Sequence, residues 1–165
     1  MRFSFPRQSG GERLCVADFI RPLGCGEQDN LALFVVSCGS GIREKAESMK
    51  AAGEYLDSHL LQALALEAAE ATAEFLHKRI RTSWGIIDDP DLGMKQLFNA
   101  GYRGIRVSFG YPACPDLTDQ QKLFQLLKPE KIGVQLTEGD MMDPEASVSA
   151  LVFHHPEGRY FDVAR

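Results

Sequence analysis

The chain has 165 residues and a mass of 18.3 kDa, 44% of them hydrophobic and 25% charged, which is enough for one soluble domain with its own core. A net charge of −5 and a pI of about 5.4 argue against the basic surface that nucleic acid or an anionic membrane selects. With a mean hydropathy of −0.19, the chain has no apolar run of about 18 residues that could form a membrane span, and residues 1–10 carry Arg2 and Arg7 but no apolar stretch of a secretory signal.

The segment Arg2-Phe3-Ser4-Phe5 alternates polar and apolar residues and reads as a strand already under way at Met1. Residues 159–165 also stop inside strand-like sequence. The expectation is a domain truncated at both its N-terminus and its C-terminus. Residues 13–20 and 31–37 are short apolar runs, closed by Pro22-Leu23-Gly24 and by Cys38-Gly39-Ser40-Gly41 respectively, and read as two buried strands.

From Ile42 to Ser83 there is no proline and one glycine, Gly53. Apolar residues recur at Met49, Ala52, Leu56, Leu60, Ala63, Leu64, Ala71, Phe75 and Ile80, in steps of a helix. Roughly 40 residues would make a helix about 60 Å long, too long for a small domain, so a break is expected at Gly53. Trp84-Gly85 ends it. A short helix is expected over 91–99. Thr118 with Gln121 has capping-box spacing and opens a helix that Pro129 follows. Residues 132–137, 147–153 and 159–164 read as strands, the last two around a turn at Pro156-Glu157-Gly158. Strands do not alternate regularly with helices. The fold class is therefore α+β, with a curved, mainly antiparallel sheet, one long helix and shorter flanking helices.

Residues 102–116 form a rigid, polar and aromatic segment between two helices, with Pro112 and Pro115 fixing the backbone. Arg106 offers a fork suited to a carboxylate or phosphate, or pairs with a surface acid. Glu67, Glu70, Glu74, His77 and Arg81 share one face of the long helix. They read as a solvated stripe; the alternative is a carboxylate that faces a pocket and holds a cation. Cys15, Cys25, Cys38 and Cys114, separated by 10, 13 and 76 positions, match neither a zinc signature nor a redox pair. They read as reduced, mostly buried fillers of a cytoplasmic protein. The acids from Glu138 to Glu145 lack EF-hand spacing, and His154-His155 has no local ligand motif, so no metal is expected. Dinucleotide, P-loop and Ser–His–Asp or Cys–His signatures are missing.

Several segments together resemble the C-terminal activation domain of cobalamin-dependent methionine synthase. They are Cys15-Val16-Ala17-Asp18-Phe19, the run Ala73-Glu74-Phe75-Leu76-His77-Lys78-Arg79-Ile80-Arg81 to Trp84-Gly85, Tyr102-Arg103-Gly104-Ile105-Arg106, Gly110-Tyr111-Pro112-Ala113-Cys114-Pro115-Asp116, Leu136-Thr137-Glu138, and Ala146-Ser147-Val148-Ser149 leading to His155-Pro156. Their order covers nearly the whole chain, and the Gly-Tyr-Pro-Ala-Cys-Pro run is the most specific of them.

The resemblance implies a non-Rossmann domain that binds S-adenosylmethionine and presents its methyl group to oxidised cobalamin during reductive reactivation. It implies as partners a cobalamin-binding module of methionine synthase and a flavodoxin or flavoprotein reductase. It gives Arg106 the grip on the ligand, the backbone of Val107 and Ser108 the adenosyl part, Glu70 the positive end and Tyr160 a covering role. Tyr111, Ala113 and Cys114 would lie where cobalamin approaches. Ala100 stands where the family has a glutamate, and Val107-Ser108-Phe109 replaces a common Pro-Ala-Pro. The family's N-terminal segment with a ligand-binding aspartate, and its C-terminal helical tail, have no counterpart here. Methyl transfer to cobalt needs placement and charge complementarity rather than a protein acid or base, so no catalytic residue is expected. The alternative is a non-catalytic relative that docks a cobalamin-binding partner.

Overall fold

A computed structural model describes residues 1–164. In chain order the elements are β1 (Ala32–Ser37), α1 (Ile42–Ala51), α2 (Tyr55–Ser83), α3 (Met94–Phe98), β2 (Ile105–Val107), α4 (Asp119–Leu127), β3 (Gln135–Leu136), β4 (Met142–Asp143) and β5 (Ser147–Phe153). Short 3-10 turns cover Val16–Phe19 and Pro129–Ile132. One sheet has the order β1-β5-β2, and β3 with β4 forms a separate two-stranded ribbon. β2 pairs antiparallel with β5 in the register Ile105↔Phe153, Arg106↔Val152 and Val107↔Leu151. β3 and β4 are also antiparallel. The α+β expectation is met, with open sheets and four α-helices among the described residues.

The helix expected from 42 to 83 is two helices, parted where the glycine stands. Gly53 has φ +83, and the N–H of Glu54 reaches back to the Met49 carbonyl at 2.9 Å. That is how a left-handed glycine closes a helix and satisfies its last carbonyls.

The face that α2 buries is not the one carrying its large apolar residues. Ser58, Ala65, Ala69, Ala73, His77 and Arg81 are buried, mostly at steps of four. Leu56, Leu60, Leu64 and Phe75 are each more than half exposed, Leu56 at 71%. Small side chains let a backbone pack close, so the alanine row is the interior surface of this helix.

Four sequence expectations are corrected. Residues 2–5 form no strand. Their alternation brings Phe3 into a stack with Phe109, ring centroids 5.6 Å apart, and beside Phe5 at 6.4 Å. Residues 13–20 hold a 3-10 turn instead of a strand, because the Asp18 carboxylate accepts the Cys15 N–H at 3.0 Å and closes the chain locally. In 132–137 only Gln135 and Leu136 are strand, since Gly133 turns the chain at φ +79. Residues 159–164 are irregular. The Gln8 side chain donates to the Asp162 carbonyl at 2.8 Å, and the Val163 N–H donates to the Pro112 carbonyl at 3.1 Å, so backbone groups that would form a ladder are spent elsewhere. Arg165 lies outside the described residues. Conversely, the 102–116 segment read as irregular contains β2.

The chain divides into two compact units. The first comprises Met1–Leu33, Leu76–Asp116 and Ala150–Arg165. Its core joins Phe19 to Phe153 and Phe161, at centroid distances of 6.3 and 6.1 Å, with buried Val16, Ile105, Val107 and Leu151. The second comprises Phe34–Phe75 and Leu117–Ser149. Its core holds Phe34, Val36, Leu123, Phe124, Val134 and Val148, and a buried hydrogen bond from the Ser149 hydroxyl to Gln120 Oε1 at 2.8 Å.

Candidate functional site

β2 places the central residue of the site. Its alternation buries Ile105 and Val107 and leaves Arg106 half-buried on the other face, opposite Val152 of β5. The guanidinium is thus presented from a paired strand rather than a loose loop.

The chain after β2 folds into a tight turn. The Cys114 thiol donates to the Ser108 carbonyl at 2.9 Å, the Gly110 N–H donates to the Cys114 carbonyl at 3.0 Å, and the Cys114 N–H donates to the Tyr111 carbonyl at 2.9 Å. Ala113 and Cys114 are buried and shape the turn from within, while Tyr111 is 57% exposed at its tip. Ser108 is half-buried. Tyr160 is also half exposed and borders an open groove of about 630 Å³, together with Gln8, Leu14, Pro112 and Arg159. Desolvation raises the Tyr160 pKa above its ordinary value, and a backbone hydrogen bond with Ala113 works against that.

Behind β2 lies a buried polar cluster that the sequence reading placed in solvent. His77 and Arg81 are fully buried, in line with the alanine row of α2. One Arg81 terminal nitrogen meets both Asp88 oxygens, at 2.9 and 2.8 Å, and Asp88 is nearly buried as well. The Arg81 guanidinium carbon sits 3.9 Å from the Tyr102 ring centroid. His77 meets the same ring edge-on at 5.3 Å. Both ring nitrogens of His77 lack a hydrogen-bond partner, as do Nε and one terminal nitrogen of Arg81. Burial, and secondarily the charges of Arg81 and Arg106, push the His77 pKa from 6.5 down to about 3. His77 is therefore neutral at any physiological pH.

The expected stripe on α2 is thus solvated only in part. Glu67 and Glu70 are exposed, Glu74 is half-buried, and His77 and Arg81 are interior. Arg106, Val107, Ser108, Tyr111, Ala113, Cys114 and Tyr160 belong to the first unit, and Glu70 belongs to the second. Asp88 and Tyr102 are the members of this surround that the sequence reading did not single out. The available signal was the spacing Ala65, Ala69, Ala73, His77, Arg81, which continues a row of small residues into two polar ones.

Cys15 and Cys114 are buried and Cys38 is half-buried, as buried or semi-buried fillers are, whereas Cys25 is exposed; all four are free thiols. Among the described residues no group of three or more His, Cys, Asp or Glu side chains is gathered to hold a metal ion. No helix among them is long and apolar enough to cross a membrane.

Comparison with known proteins identifies a family. The family model described as the activation domain of vitamin B12 dependent methionine synthase matches residues 1–165. Methionine synthase of Mycobacterium tuberculosis is 42% identical over 173 residues, and that of Mycobacterium leprae 39%. Each match covers 98% of this chain and 14% of the relative, so the chain spans about a seventh of those proteins. A solved structure titled "Crystal Structure of the MetH Reactivation Domain bound to AdoHcy" superposes with a TM-score of 0.88 at 36% identity, covering 98% of this chain and 51% of that one. An antiparallel β2–β5 pair presenting Arg106, the Gly-Tyr-Pro-Ala-Cys-Pro turn behind it, and a family match over the full length lead to one conclusion: the chain belongs to the activation domain family of vitamin B12-dependent methionine synthases.

Proposed function

We propose that this chain binds S-adenosylmethionine and positions it for the reductive reactivation of cobalamin in a methionine synthase. The observation that carries the reading is Arg106, held half-buried on a paired strand immediately before the Gly110–Cys114 turn, in a chain whose solved neighbour is titled as bound to AdoHcy.

The residue types fit such a ligand. Arg106 provides a fork for its carboxylate. The backbone of Val107 and Ser108 offers hydrogen-bonding groups to the adenosyl part. Tyr160, half exposed beside a groove, has a ring free to lie over an adenosyl group. The family resemblance assigns Glu70 to the ligand's positive end. S-adenosylmethionine would supply the methyl group, leaving as S-adenosylhomocysteine, and cobalamin held by another module would accept that group once a flavodoxin or flavoprotein reductase had given the cobalamin one electron. This chain's residues bind and orient; none has to move a proton. Tyr111 presents the surface for that module, while Ala113 and Cys114 keep the turn in shape. A flavodoxin or flavoprotein reductase and a cytoplasmic setting belong to the same proposal.

Calorimetry of the chain with S-adenosylmethionine tests it. Binding is expected, and Arg106→Ala is expected to lower affinity by about tenfold or more, since a hydrogen-bonded charge pair is worth roughly 1.5–3 kcal/mol. Glu70→Gln tests the second contact. A folded chain that binds no ligand but captures a cobalamin-binding module would favour the interaction-module reading instead.

A further inference from the structure

We propose that Arg81 is a positioning residue for ligand-carboxylate recognition by Arg106: clamped by Asp88 and stacked on Tyr102, it fixes the two residues from which β2 departs. The proposal rests on the ligand reading above and extends it to residues that never touch the ligand.

Arg81 is held at one terminal nitrogen, over its guanidinium carbon and along its stem. Its terminal nitrogen takes both oxygens of Asp88, which lies on the irregular stretch after α2. Its guanidinium carbon lies over the Tyr102 ring, 3.9 Å from the centroid. Its stem fills the space where a side chain on residue 104 would start: a Cβ there would lie 2.7 Å from Arg81 Cδ and 3.7 Å from His77 Nε2. Gly104 itself turns with φ +100, a conformation that side chains disfavour. Tyr102 and Gly104 thus bend around Arg81 just before the strand begins at Ile105.

Arg106 is two residues beyond Gly104, at most about 7 Å of extended chain. A tilt at Gly104 therefore reaches the Arg106 guanidinium with little slack to absorb it. Lysine keeps the charge at position 81 but ends in a compact ammonium, which lacks the delocalised guanidinium that reaches Asp88 with one nitrogen while its carbon lies over Tyr102. His77, neutral and packed beside Arg81, adds no competing charge to the cluster.

The test compares two ligands on the full chain by calorimetry: S-adenosylmethionine and decarboxylated S-adenosylmethionine, which differ only in the carboxylate. Arg81→Lys is expected to lower affinity for the first by about tenfold while leaving the second within about twofold. Asp88→Asn is expected to act in the same direction, and it decides the matter if Arg81→Lys loses its near-ultraviolet circular dichroism and proves unfolded. Unchanged binding of both ligands by a folded variant, or equal loss of both, overturns the positioning role. A parent chain that binds neither ligand overturns the functional reading itself. A parent that binds, with the carboxylate preference lost in Arg106→Ala but kept in Arg81→Lys and Asp88→Asn, overturns only this proposal.

Discussion

The Arg81 guanidinium carbon lies over the Tyr102 ring, 3.9 Å from its centroid, and one terminal nitrogen of the same group meets both oxygens of Asp88. A cation with 1% exposure is thereby held by one aromatic face and one nearly buried carboxylate. The balance of such a pair is delicate, because desolvation offsets most of the attraction while the loss of one partner leaves a bare buried charge.

Arg81→Met is therefore expected to destabilise the chain by about 3–5 kcal/mol. The loss appears as a melting temperature lower by about 10 °C in calorimetry. The double variant Arg81→Met/Asp88→Leu is expected to recover much of it, since no charge is then stranded. A double variant no better than the single one would show that the pair stabilises beyond the cost of its own burial.

His77 sets a pH dependence. Its folded pKa of about 3 lies below the ordinary 6.5, so the unfolded chain binds a proton that the folded chain refuses. Stability from this source is complete above pH 6.5 and is lost progressively as the pH falls toward 3. Asp18, whose carboxylate is held below its ordinary value by Arg7, loses its contribution only at lower pH, from about 4 downward. Urea midpoints at pH 7 and pH 5 should fall further apart in the parent chain than in His77→Gln. Equal shifts in the two proteins would remove His77 as the cause.

Gly104→Ala is expected to cost about 1–3 kcal/mol, from the left-handed backbone and from collision with the Arg81 stem. Gly53→Ala has the same backbone penalty, but nothing lies within 4 Å of its Cβ position. Chemical denaturation should therefore rank Gly104→Ala as the more damaging of the two. The reverse order would mean that the Arg81 stem yields easily.

The two faces of α2 make opposite predictions. Leu60→Glu and Leu64→Glu, on the exposed face, are expected to change stability by no more than about 0.5 kcal/mol. Ala69→Leu, on the buried face, is expected to overpack and cost about 1–3 kcal/mol. Denaturation midpoints separate these outcomes. A large effect of the leucine changes would show that the exposed face is covered in solution.

Local signals in the sequence were reliable where one residue decides the backbone. Gly53 marks the break between α1 and α2, and the β-branched run at 31–37 marks β1. The α4 start also falls where Thr118 predicts it, although Thr118 itself is helical at φ −64 and ψ −21 rather than extended as a capping residue usually is. Strand readings failed where a side chain took over the backbone's partner, as Asp18 does for Cys15 and Gln8 for Asp162. The segment that carries Arg106 was legible as unusual because two glycines, two prolines and two tyrosines crowd into it. The Arg81–Asp88–Tyr102 cluster was not, because a charge on a helix is ordinarily solvated, and only the tertiary fold tells which side of α2 faces inward.

The alanine row of α2 has a practical consequence. Here an interior is specified by the volume a side chain lacks, and hydropathy points to the opposite surface. Substitutions meant to improve solubility can be drawn from Leu56, Leu60 and Leu64, exposed at 71%, 56% and 67%. Substitutions that respect the fold must leave Ala65, Ala69 and Ala73 at their present size. Any ranking of variants by hydrophobicity alone would protect the wrong half of the longest helix in the molecule.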